Sequence, residues 1–369
     1  MDGIIKSKNQ IIREDIKDTL ALLDPTFSPI TSYLLNSGGV LPVAGPNYSW
    51  VDHKVRRVKT NLSAALTAGT TTMTVVSNEP FVVGGTARID DELVQVTAVS
   101  GTTITITRGY RGTTDSAHAA LTPIISFGIE MKEGGNFKDS QSTLADKTLN
   151  NTGFIYESFK VTDTAQASHI TGQSGMSAYA LESMKKKTEL MGFLENKLLN
   201  SIQYDSGDER ETAGAKQLIA QKGIPIDAGG ANLTKQYIDD IVKLLVDAGA
   251  GNALGSGRYT IVAPYVQKNK IDNYNLNTLR TGIQEKITGL TITQLVTTGG
   301  LLNVMYANSL NPNEILIMDL EQLKFRQLIP IKEEMVGRTG NYTQYVFNGE
   351  MGVMLTNLAV QTHIYNLSI

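Results

Sequence analysis

The sequence predicts an α+β protein in which extended arms and loops precede the compact part, and three observations predict it. Residues 60–123 alternate apolar and polar positions in short runs such as Thr72-Met73-Thr74-Val75-Val76 and Thr102-Thr103-Ile104-Thr105-Ile106-Thr107, broken at Gly84-Gly85 and Ser100-Gly101. This is the pattern of short strands joined by turns. Residues 174–203 switch to a 3.6-residue period, with Met176, Ala180, Met184, Met191, Leu194, Leu198 and Ile202 on one face, which predicts one long helix. From residue 226 onward, helical and strand patterns mix.

Composition sets the class. The chain has 369 residues, and single cores stop growing at roughly 250 to 300 residues, so it has material for two. Hydrophobic residues make up 41% and charged residues 19%, which describes a folded protein with less charge than the usual ~25%. A net charge of −3 gives no overall basic field for nucleic acid. There is no cysteine, so disulfides, thiolate nucleophiles and cysteine metal sites are excluded. The N-terminal Met1-Asp2-Gly3-Ile4-Ile5-Lys6 lacks the apolar stretch of a secretory signal, and no run approaches the ~18 apolar residues of a membrane span. The chain is expected to remain in the cell that makes it, with no membrane partner.

Residues 1–47 hold one helix-spaced set, Ile12, Ile16, Leu20 and Leu23, then the breaks Asp24-Pro25 and Ser28-Pro29. This segment reads as an arm, because Phe27, Ile30, Tyr33, Leu34 and Leu35 need apolar cover, which another subunit supplies if the arm lies on it. The stretch from Tyr48 to Val55 reads as a strand into the β module, and Ile124-Ile125-Ser126-Phe127 as the strand leaving it. Residues 128–153 have the polar composition of a mobile loop, and 154–161 alternate as a returning strand. These pieces form one long excursion carrying the module. Trp50, the single tryptophan, is either a core anchor for the excursion or an intersubunit contact.

About 30 residues of helix from Ser174 would reach roughly 45 Å, with Gly192 a point of bending or close packing. The charged Lys185, Lys186, Lys187, Glu195 and Lys197 fall mostly off its apolar face. Thr234 caps a helix carrying Tyr237, Ile238, Ile241, Val242 and Leu245, which ends near Gly249. Strands are expected at 259–263, 290–296, 301–306 and 315–318, with a helix starting at Pro264. Strands at 342–347 and 357–365 close the pattern.

Catalytic and cofactor chemistry finds little to stand on. Gly255-Ser256-Gly257-Arg258 precedes a strand and not a helix, so it is no phosphate loop. The histidines, His53, His118, His169 and His363, are scattered and without helical ligand spacing. Asp90-Asp91-Glu92 reads as a solvated hairpin tip, with a calcium turn as the functional alternative. Lys185 to Lys187 reads as a solvent-facing charge run. No cofactor, metal or catalytic residue is assigned, and the chain is not expected to be an enzyme.

Several runs occur in a telling order: Leu23-Asp24-Pro25-Thr26-Phe27-Ser28-Pro29, Tyr48-Ser49-Trp50-Val51-Asp52, and Phe159-Lys160-Val161-Thr162-Asp163-Thr164-Ala165-Gln166-Ala167 ahead of the long helix. The module adds Asp91-Glu92-Leu93-Val94-Gln95-Val96-Thr97 and Thr107-Arg108-Gly109-Tyr110-Arg111-Gly112-Thr113-Thr114. In this order the chain resembles the major capsid (major head) proteins of tailed bacteriophages with the Hong Kong 97-type (HK97-like) fold. The resemblance implies an N-terminal arm over 1–47 and an extended loop (E-loop) over 48–170 with the β module at 60–123. It implies a peripheral (P) domain over 171–225 and 330–369 with a spine helix at about 174–203, and an axial (A) domain over 226–329.

The implied function is self-assembly into hexamers and pentamers of an icosahedral phage head that encloses double-stranded DNA. Implied partners are copies of itself, a separate scaffolding protein, a portal, a decoration protein, and packaged DNA held without sequence-specific binding. The implied location is the virion capsid, after synthesis in the host bacterial cytoplasm. Phe27, Tyr33, Tyr48, Trp50, Phe154 and Phe159 are the candidate intersubunit contacts. The β module departs from the simplest pattern and implies added surface or lattice contacts. The competing reading is a phage tail or surface protein whose module binds host carbohydrate, and a third is a hydrolase in 226–329 without a visible site.

Overall fold

Pro29 starts a helix where the sequence suggested only a break, because proline at the first helical position lacks an N–H that would be unpaired there anyway. In the computed structural model, which describes residues 28–53, 56–130, 133–134, 145–167, 177–275, 293–338 and 340–369, this is α1 (Pro29–Asn36). The helix suggested by Ile12 to Leu23 lies outside the described residues. Ile30 and Leu34 of α1 are fully buried in the chain's own core, so the cover the arm needs for them comes from within the subunit. β1 (Val40–Pro42) follows.

β2 (Asn47–Asp52) opens the excursion. Its module comprises β3 (Lys59–Asn61), β4 (Thr72–Thr74), β5 (Gly85–Ile89), β6 (Glu92–Ser100), β7 (Thr103–Thr107) and β8 (Pro123–Ile129). The strands pair in the order β3-β8-β5-β6-β7-β4. A Leu62–Val75 bridge joins the two outer strands, with Val76 N–H donating to the Asn61 carbonyl at 3.0 Å and Ser63 N–H to that of Thr74 at 2.9 Å. The sheet therefore closes into a small barrel, which removes the free edges that would invite unwanted pairing. Its interior is a core of its own, including Leu62, Met73, Ile89, Val94, Ile104, Ile106 and Ile124.

β9 (Asp146–Asn151) runs back antiparallel to β2, from Asn47↔Asn151 to Asp52↔Asp146. The excursion thus stands on a two-stranded ribbon. β10 (Gly153–Thr162) and the short α2 (Asp163–Ala167) lead to α3 (Ala178–Asn200), which Ser177 caps by accepting from Ala180 N–H at 3.2 Å. Its 23 residues span about 34 Å. The buried stripe is Leu181, Leu190, Leu194, Leu198 and Leu199, together with Glu195, while Met184 is 40% and Ile202 71% exposed. The expected face is therefore rotated slightly, and Glu195, expected outside, lies inside.

A small hairpin, β11 (Tyr204–Asp205) and β12 (Arg210–Glu211), precedes α4 (Ala215–Lys222) and β13 (Ile224–Asp227). α5 (Lys235–Leu245) is capped by Thr234 as its sequence predicts and continues through a π turn, Val246–Ala250, into α6 (Gly251–Gly255). β14 (Tyr259–Ala263) and α7 (Tyr265–Asp272) follow. The last strands are β15 (Gln294–Thr297), β16 (Gly300–Tyr306), β17 (Ile315–Asp319), β18 (Leu323–Arg338), β19 (Tyr342–Leu355) and β20 (Thr362–Tyr365).

Two larger sheets organise these elements. The order β1-β18-β19-β10 makes one sheet, against which α3 packs, and β13-β20-β17-β14-β16-β15 makes the other. β14 and β17 are buried on both faces. Ile261 and Ile317 enter one core with α5, while Val262, Leu316 and Met318 enter the other with α3 and α4. That double burial is why both strands read as continuous apolar runs.

The sheets do not divide at residue 330. β18 begins at Leu323, whose side chain joins Phe325 in the first core, and β20 lies parallel to β13 (Ile224↔Thr362) with Ile364 in the second. Residues 323–329 therefore belong with the long strands, and 362–365 with the six-stranded sheet, opposite to the expected division. Strand pairing decides both placements, β18 with β19 and β20 with β13.

Candidate assembly surfaces

The root of the excursion is clamped to its own subunit. Tyr48 Oη donates to the Val353 carbonyl at 2.7 Å, and Asn150 Nδ2 donates to the same carbonyl at 2.7 Å and to that of Ala213 at 3.1 Å. Asn150 Oδ1 accepts from the N–H groups of Asn151 and Ala213, each at 2.8 Å. This amide is buried with both ends satisfied, as an interior position requires. Burial pushes the Tyr48 hydroxyl well above its ordinary pKa. Gly352 makes room for it: a Cβ there would meet the Tyr48 hydroxyl and lie 2.7 Å from Cε1 of its ring.

The two motifs of the module meet in space. Glu92 and Arg108, buried side chains, form a two-pronged pair at 2.6 and 2.7 Å. Glu92 also accepts from Gly109 N–H at 3.0 Å and Ser116 N–H at 3.3 Å, and lies 3.0 Å from His118 Nε2. Arg108 reaches Asp115 at 2.8 Å and the Thr67 carbonyl at 3.1 Å, while His118 Nδ1 lies 2.8 Å from Asp90. Burial alone would raise the Glu92 pKa. Arg108, His118 and the two N–H groups outweigh it and hold the carboxyl at about 2. Asp90 and Asp91 form the exposed tip as the sequence suggested, but Glu92 and His118 are interior, and the arrangement is a structural knot.

The candidate contact residues separate into two groups. Tyr48 and Trp50 are buried and stack at 6.1 Å on the inner face of the ribbon. Phe159 is buried and stacks on Tyr345 at 5.2 Å and Phe347 at 6.1 Å. These three anchor their own subunit, because an inward position on a ribbon or sheet packed against a core leaves no surface for a neighbour. Tyr33, on α1, is 38% exposed, and Phe154, on β10, is 50% exposed with the Arg210 guanidinium 5.5 Å above its ring. Phe27 lies outside the described residues.

Sequence reading missed most of the exposed apolar surface. Phe154 and Tyr156 of β10 and Phe193 of α3 border a groove of about 510 Å³ that continues to Asn200 and Ser201. The outer face of the ribbon exposes Val51 and Leu149. Phe154 was among the expected contacts, and period-2 alternation could have added Tyr156, since both fall on the face opposite to Ile155 and Phe159.

A second cleft, about 480 Å³, lies between the root of the excursion and the segment from the π turn to Tyr259. Six of the charged groups lining it are paired: Arg258 with Asp319 at 2.6 Å (and with Glu321 at 2.9 Å), Lys222 with Asp146 at 2.6 Å, and Arg57 with Glu79 at 3.3 Å. Lys185 pairs with Glu182, Lys186 with Glu157 and Glu189, and Lys187 with Glu333, so the basic run is neutralised within the subunit. Among the described residues no group of three or more metal-ligating side chains occurs, and no helix is long and apolar enough to cross a membrane.

A family model described as SU10 major capsid protein matches residues 4–364. The chain belongs to that family. It is a major capsid protein of a phage head, which displaces the tail-protein reading of its sequence, and the family is a structural one.

Solved capsid structures share the fold at low identity. The chain superposes on that of the "Cyanophage A-1(L) capsid asymmetric unit" with a TM-score of 0.62 at 10% identity, covering all of both chains. For the "Capsid of native GTA particle", the TM-score is 0.53 at 8% identity, covering all of this chain and 99% of the other. The fold of this capsid protein is accordingly the Hong Kong 97-type α+β fold. No curated protein matches. Membership in a capsid family places the protein in the virion shell, built from copies of itself.

Proposed function

We propose that this capsid protein forms hexamers and pentamers that close into an icosahedral shell around double-stranded DNA. In this reading, residues 48–151 are the extended loop that laps over an adjacent subunit, and the barrel adds contacts or a docking surface at its far end; β10, expected within a loop reaching to 170, belongs instead with the four-stranded sheet and its core. The long helix and the four-stranded sheet form the peripheral part. The six-stranded sheet, including 224–227 and 362–365, forms the axial part that meets its copies at capsomer centres. The observation that carries the reading is the unpartnered apolar surface on a subunit of a capsid family: the groove at Phe154, Tyr156 and Phe193, and the ribbon face at Val51 and Leu149. Such contiguous exposure marks interaction sites. Of the candidate contacts, Tyr33 and Phe154 remain available to neighbours.

A separate scaffolding protein, a portal and a decoration protein complete the proposed partners, with synthesis in the host bacterial cytoplasm. DNA is retained by confinement in the shell, without sequence-specific contacts. The test is expression of the full chain at moderate salt, followed by negative-stain electron microscopy and size exclusion with light scattering. Closed shells are expected, or rings of five and six that close when a scaffold is added. A stable monomer, dimer or trimer that never assembles with or without scaffold would overturn the proposal.

A further inference from the structure

Glu195 is a fully buried carboxylate with no cation partner among the described residues. Its neighbours one turn away on α3 are Met191, Gly192, Leu198 and Leu199, none of them polar. The carboxylate faces the first turn of α1: it accepts from Thr31 N–H at 2.7 Å, Ile30 N–H at 3.3 Å and the Thr31 hydroxyl at 2.8 Å. α1 begins with proline, and Ser28 supplies no side-chain cap. A residue 164 positions away in sequence thus satisfies the N–H groups that a local cap would normally serve. The positive end of the helix dipole favours the same placement.

Most charged groups on the neighbouring elements have partners other than Glu195. α1 contributes only Tyr33, and β18 contributes Lys324 and Arg326, the latter over the Tyr48 ring at 5.8 Å. On α4, Lys216 pairs with Glu314 and Lys222 with Asp146, and on α3 itself Lys197 pairs with Glu211. None of them forms an ion pair with Glu195.

We propose that Glu195 is a proton-responsive anchor through which α3 holds α1, so that docking of this arm helix tightens as the carboxylate takes up a proton. Docking takes the carboxylate out of water, which is costly for an ionised group unless it is fully compensated. Three hydrogen bonds compensate in part. A protonated Glu195 fits the same geometry, because the 2.8 Å contact reverses and the acid proton is donated to the Thr31 hydroxyl oxygen. Burial accordingly raises the Glu195 pKa, and the bonds from Thr31 and Ile30 lower it by less. The docked state holds the proton more tightly than the undocked one. The added stability is complete below the ordinary carboxyl value of 4.5 and is lost as pH rises through the docked value.

The absence of cysteine allows a direct test. Leu34→Cys puts a single thiol on the buried face of α1, and its maleimide labelling rate, divided by that of a short peptide thiol, reads docking between about pH 5 and about pH 8. Protection is expected to fall several-fold across that range, and to stay flat when Glu195→Gln is added. Protection that does not change with pH, or a slope that survives Glu195→Gln, would overturn the proposal. Should Leu34→Cys fail to fold, hydrogen exchange of the 29–36 peptide in the unaltered chain and in Glu195→Gln, corrected for intrinsic exchange, reads the same two outcomes.

Discussion

At the residue scale, the Glu92–Arg108 pair ties together two sequence motifs that would otherwise be separate turns. Arg108→Met leaves a buried carboxylate partly uncompensated and is expected to destabilise the barrel by ~3–5 kcal/mol, seen as a lowered urea midpoint in barrel peptides followed by hydrogen exchange. The double change Glu92→Leu with Arg108→Met should recover much of that loss; no recovery would mean that the pair does more than neutralise its own burial. Glu314 behaves similarly. Burial raises its pKa, but His363 at 3.1 Å, Lys216 and the Asn311 N–H hold it at about 2. Both carboxylates bind protons less readily when folded, so their stabilisation is present above about pH 4.5 and drains away toward pH 2. A melting temperature flat between those values would contradict this.

These residues also mark the limit of what was legible in the sequence. Asp90, Asp91 and Glu92 are adjacent carboxylates with the same local signal. Which of them turns inward depends on the left-handed backbone at Asp90 (φ 48°) and on an arginine 16 residues away. Glu195 was assigned to the polar face because its partner is an N–H group of the arm, which no periodicity reveals.

At the element scale, apolar patterns with one dominant face were readable: α5 with its Thr234 cap, β14, β16 and β17. The 16-residue β18 was missed, because register shifts at Gln327/Ile329, Ile329/Lys332 and Met335/Gly337 break its alternation. The clamp that holds the ribbon was equally hidden, since Gly352 signals nothing until Tyr48 is seen against it. Tyr48→Phe should cost about 1 kcal/mol for its lost hydrogen bond. Gly352→Val should cost more, because the added methyls have no space. Thermal unfolding of the two variants checks the order, and a milder effect from Gly352→Val would refute the steric account. On the outer surface, Phe193→Ser and Phe154→Ser should leave subunit melting nearly unchanged while reducing the yield of shells by sedimentation. Normal assembly of both variants would remove the groove from the proposed contacts.

At the scale of the whole molecule, the described residues form three cores, and the barrel's is distinct from the other two. Asp52 and Asp146 are paired neighbours across the ribbon, so a short Gly-Ser turn replacing residues 53–145 bridges positions already side by side. The shortened protein is expected to fold with the two larger sheets intact, judged by circular dichroism and a cooperative melt. Loss of cooperative folding would show that the barrel supports the rest of the subunit. That the module would be self-contained was visible in its alternating strands; that it closes on itself was not, because closure rests on a single bridge between Leu62 and Val75.

The position of β20 has a consequence for synthesis. It fills the place between β13 and β17, yet more than 130 residues of chain separate it from β13 (Ile224↔Thr362). While a ribosome is still translating the preceding strands, β13 has no partner and the flank of β17 is bare. A nascent chain cannot complete this sheet, and a product terminated before Thr362 never will. Such fragments would carry an open strand edge on β17, the kind of edge that pairs with other chains.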